Sequence, residues 1–351
     1  MRALTPEENF LWQRRIPLPG KLRLVIDSDA KNEVDDQFAI SWALRSPERF
    51  QVEAVYAVPF SHTAYRHNLG QKDYQDGEIP GEGMEKSYQE IRRLFSLLGQ
   101  DPEGRVFRGA DHFLEAPDKP VDSEAVRDLI RRAMASEEPL YVAAIGAATN
   151  IASALLLEPA LAERITVVWL GGQPVSFSHG QEFNLTQDIF AAQILFRSGV
   201  PLIWIPCMTV ASQLSLSDSD VREKLLGKSD IGTYLAQIVL EQFPNLQKAV
   251  TRANTQYGIN LAGQDDLPQA YRDLFPSKSV AWSRTIWDVS TIGFLKNPNW
   301  VLTRLEPAPI LLPDCRWQLP DGQSSPIRVA HYCQRDLLLG DLIACLQEST
   351  K

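Results

Sequence analysis

Short apolar, β-branched runs alternate with segments of helical spacing along most of this chain, and that alternation constrains its fold more than any other feature. Residues 22–26 predict a buried strand ending in polar Asp27-Ser28-Asp29. From Asp35 the spacing turns helical, with Phe38, Ile40, Ala43 and Leu44 near one face until Pro47 stops it. Residues 52–58 then read as a second strand. Strand, helix, strand is the unit of a parallel sheet, whose crossovers are right-handed and whose ligands sit beyond the strand ends. Further strands are expected over 140–145, 165–170 and 202–205, and helices over 87–98, 123–135, 151–157 and 189–198. Residues 59–85 lack periodicity and are rich in Gly, Asp, His and Gln, which predicts a long loop. Residues 217–282 read as mostly helical, broken at Pro244 and Pro276, and 307–351 as short strand-like pieces with a final helix near 337–346. The expected class is α/β: a doubly wound, mostly parallel, Rossmann-like sheet with helical additions. No repeat or linker divides it, so residues 1–351 are read as one domain with a core of about 20–300 and a C-terminal extension of about 301–351.

Composition narrows the partners. Lys and Arg number 35 against 44 Asp and Glu, and the resulting net charge of -9 repels a phosphate backbone, so nucleic acid is not expected. Four cysteines occur without a Cys-x-x-Cys or a zinc-like spacing, which fits a reducing compartment. The first residues carry charges throughout, and no apolar run approaches the roughly 18 to 20 residues that span a bilayer. A cytoplasmic protein without a membrane partner is the expectation.

Residues 27–36, Asp-Ser-Asp-Ala-Lys-Asn-Glu-Val-Asp-Asp, place four aspartates and a glutamate directly after a buried strand. Mutual repulsion makes that costly unless a cation is shared. Asp27 and Asp29 project to one side of an extended chain, while Asp35 and Asp36 open a helix whose dipole favours negative charge. Hard carboxylate oxygens suit Ca²⁺ or Mg²⁺. An EF-hand fails for want of a mid-loop glycine. A haloacid dehalogenase-type phosphatase would also begin Asp-x-Asp after its first strand, but it leaves the Asp35-Asp36 pair unexplained.

The segment resembles the signature of the nucleoside hydrolase family: Asp-x-Asp, a short loop and an Asp-Asp pair. The resemblance continues in order. Residues 144–152 are similar to the family's Gly-Pro-Leu-Thr-Asn segment, 168–172 to its Met-Gly-Gly strand end, and Glu182-Phe183-Asn184 to its Glu-Phe-Asn motif. Asp188 with Ala191-Ala192 matches the run that follows, and Trp287-Asp288 stands in place of the late His-Asp pair. This resemblance implies that Asp29, Asp36, Asp288 and the backbone carbonyl of Ile145 hold Ca²⁺ together with the ribose hydroxyls. It implies that Asp35 is the general base acting on a metal-bound water, with Asp27 behind the cluster and Glu182 and Asn184 gripping the ribose. Asn150 joins the substrate-binding set, and Leu170 packs under the sugar. The implied substrate is a small nucleoside or ribosyl compound, and the implied assembly a homodimer or homotetramer.

The chemistry is coherent on its own. N-glycoside hydrolysis passes through an oxocarbenium-like state that neighbouring carboxylates stabilise. A metal lowers the pKa of its water and supplies a nucleophile near neutral pH.

Three departures stand out. The loop from Asp29 to Asp35 is longer than the family's usual form and lacks its Pro-Gly. The second strand ends Val58-Pro59-Phe60-Ser61-His62 instead of Gly-Asn. Trp287 replaces a histidine, so that residue cannot protonate the leaving base; its indole could stack on the base instead, which suggests purine nucleosides. Tyr65, Tyr74 and Tyr88 are candidates for the other side of a base sandwich. A non-catalytic or repurposed nucleoside-binding protein on the same fold is the alternative, and the phosphatase a weaker one.

Overall fold

The computed structural model describes residues 15–242, 283–322 and 324–348, together with Pro6, Phe10 and Gln13. Twelve strands occur among them: β1 Leu22–Ser28, β2 Phe50–Ala57, β3 Val106–Arg108, β4 Leu140–Ile145, β5 Ile165–Leu170, β6 Leu202–Ile205, β7 Ser215–Ser217, β8 Ser283–Thr285, β9 Val301–Pro307, β10 Ile310–Leu311, β11 Trp317–Gln318 and β12 Pro326–Cys333. Eight form the central sheet in the order β3-β2-β1-β4-β5-β6-β12-β9. All neighbours run parallel except β9, which pairs antiparallel with β12 at the edge. The sheet thus winds outward in both directions from β1 and β4, and the crevice between their carboxyl ends is the topological switch point where such folds bind ligands.

Strands buried on both faces need no alternation, which is why β4 and β5 read as continuous apolar runs and are wholly buried. Helices cover both sides. Phe38 and Ile40 of helix Asp35–Leu44, Ile91 and Phe95 of Pro80–Leu97, Ile292 of Val289–Lys296 and Leu338 of Arg335–Gln347 share one core. Val126 of Glu124–Met134, Ile151 of Thr149–Leu157 and Leu195 of Ile189–Arg197 belong to the other.

Several expectations need correction. The first strand extends through Asp27 and Ser28, since both carry on the pairing with β2 and β4. All ten residues of helix Asp35–Leu44 are buried, not one face of it. The expected loop over 59–85 contains helix His62–Asn68, capped by the Ser61 side chain, and the first turns of Pro80–Leu97. Its glycines disguised that second helix: a Cβ on Gly83 would collide with the Phe60 carbonyl, so the residue is glycine for close packing. β3 was not foreseen. In the segment expected to be helical, Asp218–Lys224 is a helix, and 243–282, with Pro244 and Pro276, lies outside the described residues. The tail contributes β12 to the central sheet directly beside β6. No described helix is long and apolar enough to cross a membrane.

Candidate active site

Register places the site. Ser28 of β1 pairs with Ile145 of β4, so Asp29 leaves its strand at the level where β4 ends. Gly146 follows, and a Cβ there would come within 3.2 Å of the Asp29 backbone and carboxyl carbon. Lys31 N and Asn32 N donate to the Asp29 carbonyl at 2.6 and 2.8 Å, turning the chain sharply back toward the helix that opens with Asp35 and Asp36. Far along the sequence, β8 pairs with β7 and leads into Trp287 and Asp288. Asp288 sits at the start of helix Val289–Lys296 without using its side chain as a cap.

Ligand oxygens of Asp35, Asp36 and Asp288 lie within 4.8 Å of one another, all three residues buried. Ser28 Oγ donates to Asp36 Oδ1 at 2.6 Å, and the backbone N–H of Trp287 donates to Asp35 Oδ2 at 3.0 Å across 252 positions of sequence. Burial and mutual repulsion hold the carboxyls of Asp29, Asp36 and Asp288 well above the usual range. Burial likewise raises Asp35 to about 7, with Glu33 adding to the rise and Arg284 opposing it. Such a set is stable as carboxylates only when a cation is supplied. The donors fit one: they are hard oxygens, and Asp29 Oδ2 is buried without any hydrogen-bond partner.

A cavity of about 300 Å³ opens over this cluster. Asp29, Asp35, Asp36, Asp288, Ile145, Leu170, Glu182, Asn184 and Trp287 all line it, joining nine of the eleven residues singled out from sequence. The other two, Asp27 and Asn150, do not line it. Asn150 Nδ2 donates to Asp27 Oδ1 at 2.8 Å, and Asn150 Oδ1 accepts from Ala110 N, so the amide is committed to tying helix Thr149–Leu157 to the end of β1 and to the segment at Ala110 behind the cluster. Burial raises Asp27 to about 7, and the bond from Asn150 opposes that rise.

Glu182 caps helix Phe183–Gln187, accepting from Asn184 N at 3.0 Å and Leu185 N at 3.2 Å, and also takes Gly172 N at 2.7 Å. Burial raises its carboxyl despite those three donors. Asn184 Nδ2 donates to the Leu170 carbonyl at 3.1 Å, and the residue lines the cavity.

Of the three candidate tyrosines, only Tyr65 reaches the cavity. Tyr74 sits under Arg66 and Tyr88 under Arg92 and Arg108. Phe183 was missed as a site residue: its ring lies 4.9 Å from that of Tyr65 and also lines the cavity. Its place between Glu182 and Asn184 was the available signal. Trp287 is half-buried, packed against the core and exposed to the cavity at once. Asn32, Glu33, Gln173, Cys207 and Met208 were likewise unforeseen in the lining, which among the described residues includes no Lys, Arg or His.

An α/β sheet carrying acidic groups from both ends of the chain to its switch point defines a site for a small ligand and a divalent ion. The family model of inosine-uridine preferring nucleoside hydrolase matches residues 24–293, and this chain belongs to that family. It is a hydrolase acting on N-glycosyl compounds. The Arabidopsis thaliana protein named "Probable uridine nucleosidase 2" is 25% identical over 225 residues, 62% of this chain and 68% of that one. Among solved structures, a plant nucleoside hydrolase superposes with a TM-score of 0.62 at 19% identity, covering 93% of this chain and 99% of the other. A purine-preferring ribonucleoside hydrolase from Gardnerella vaginalis gives 0.61 at 19% identity, covering 93% and 98%. The phosphatase alternative offers no account of why Asp288 meets Asp36.

Proposed function

We propose that the protein hydrolyses the N-glycosidic bond of ribonucleosides with a bound Ca²⁺, and that Asp35 is the general base. The observation that carries this reading is the meeting of Asp35, Asp36 and Asp288 at the floor of a cavity walled by aromatic rings. Asp29, Asp36, Asp288 and the Ile145 carbonyl would hold the ion, which when bound acidifies water and orients the sugar diol. Asp35 Oδ1 takes the proton of the attacking water; its other oxygen is held by the Trp287 N–H, which fixes the carboxylate's direction. Glu182 and Asn184 grip the ribose, their orientation set by the donors and acceptor around them. Nearby negative charge stabilises the oxocarbenium-like sugar as the base departs. Leu170 excludes water beneath it.

Tyr65, Phe183 and Trp287 give the leaving base apolar faces, and their combined surface favours the larger purine ring. The Arabidopsis relative is named for uridine, so a pyrimidine preference is the contrary outcome. Four free cysteines support a reducing, cytoplasmic setting, and the family resemblance supports a homo-oligomer.

Base release from inosine and uridine, followed with and without calcium after chelation, tests the proposal. Release that needs the ion, with kcat/KM higher for inosine, supports it. Binding of both nucleosides at saturating calcium with no release supports instead the alternative of a binding protein on a hydrolase fold.

A further inference from the structure

Glu33 has no part in the chemistry described so far, yet it lines the cavity from the lengthened loop. That loop is anchored on its own side. Gln37 Nε2 donates to the Glu33 carbonyl and to Glu90 Oε1, each at 3.4 Å, and Glu90 is in turn bonded by the Tyr234 hydroxyl. The Glu33 side chain reaches away from these contacts to the guanidinium of Arg284, 251 positions along the chain. Arg284 lies in β8, three residues before Trp287. Its side chain is 14% exposed against 41% for Glu33, and its Nε has no partner. Opposite this pair, β8 is held by its three-residue ladder with β7, by the hydrogen bond between the Ser215 and Thr285 hydroxyls at 2.9 Å, and by Ile286, which is buried in the core and donates its N–H to the Leu214 carbonyl at 2.8 Å.

From these contacts we infer that Glu33 is a positioning residue: its ion pair with Arg284 latches the β8 arm to the acidic loop and so holds the Asp288 carboxylate against Asp36. The inference rests on the divalent-ion reading. The Glu33–Arg284 pair and the Trp287 N–H on Asp35 join loop and arm, and helix Val289–Lys296 packs against helix Asp35–Leu44 on the far side of Asp288. Without Glu33, the Arg284 guanidinium loses its partner and the arm loses its ion pair to the acidic loop. Such an effect falls on ion affinity, because Asp288 is the only member of the three-carboxylate group carried by the arm.

Glu33→Gln, Arg284→Gln and the double variant, each chelator-treated and titrated with calcium by calorimetry, test this, with the melting temperature of each metal-free protein as a second readout. Each single change should weaken calcium binding about fivefold, and the double variant should be no weaker than the worse single one. The metal-free melting temperatures of the single variants should fall by only about 2–4 °C, because Glu33 is 41% exposed and water reaches the pair. Single variants that bind calcium within about twofold of wild type overturn the proposal, as do effects that multiply in the double variant. So does a fall in melting temperature with ion affinity unmoved, which would make the pair merely structural. Calcium binding needs no substrate, so a wild type that binds the ion but releases no base would defeat the hydrolase mechanism and leave the latch standing.

Discussion

Two groups of carboxylates largely shielded from water, one at helix Glu124–Met134 and one beyond the ends of β1 and β4, solve the same problem differently. Asp128 and Glu53 are met from within the protein: Arg132 Nε donates to Asp128 at 2.5 Å, Tyr56 donates to it at 2.9 Å, Arg131 pairs with it as well, and Arg23 donates to Glu53 at 2.7 Å. Asp29, Asp35, Asp36 and Asp288 pair with no Lys or Arg among the described residues, only with neutral donors such as Ser28 and the Trp287 N–H; Arg284 stands nearby but is taken by Glu33. A buried carboxylate costs several kcal/mol unless it is paired. The first group meets that cost with arginine and is structural. The second, at the switch point of the sheet, is not met by a protein cation and has the hard oxygens that suit a divalent ion.

That contrast can be broken by substitution. The largest effect is expected at Asp35→Asn, which should lower kcat for base release by about 10²- to 10⁴-fold while nucleoside affinity is kept; turnover at the wild-type rate would remove Asp35 from the chemistry. Asp128→Asn should act the other way, costing ~1.5–3 kcal/mol of stability by weakening the charged bonds from Arg132, which keeps Glu53 and the Gly104 carbonyl, while calcium affinity remains. Denaturant melts and calorimetry together distinguish the two groups, and a loss of ion binding in the Asp128 variant would erase the distinction.

Proton linkage sharpens the comparison. Burial raises Asp35 and Asp27 from the ordinary carboxylate range to about 7. The folded state therefore binds protons that the unfolded state has released, so stability is fully present below about pH 4 for these groups and is lost as pH rises through 7. The metal-free protein should melt at a lower temperature at pH 8 than at pH 5, and calcium should restore the loss at pH 8. A melting temperature that rises with pH in the absence of metal would break the contrast. The smallest effect is expected at Tyr65→Ala, where losing one aromatic face should raise KM for inosine about three- to tenfold with kcat little changed.

Legibility from sequence followed the same physics. Buried parallel strands announced themselves through unbroken apolar runs, so β4, β5 and β6 match their expected bounds. Helix His62–Asn68 did not, because none of its residues is fully buried and it carries no apolar stripe. The acidic segment was legible because four aspartates after a strand have few structural explanations. Asn150 was misread as a cavity residue because a motif records position and not direction; its amide faces Asp27 and Ala110. Phe183 escaped notice because an aromatic beside two polar motif residues looks like ordinary packing. The latch between Glu33 and Arg284 had no local signal at all, being a contact between loops far apart in the chain.

In the proposed mechanism, carboxylates from residues 29–36 and from Asp288 close on one divalent ion. Calorimetric titration of calcium into the chelator-treated wild type and its Asp288→Asn variant tests it most directly. One ion per chain in the wild type and a large loss of affinity in the variant is the result expected. No ion bound by the wild type, or equal affinity in the variant, would contradict it.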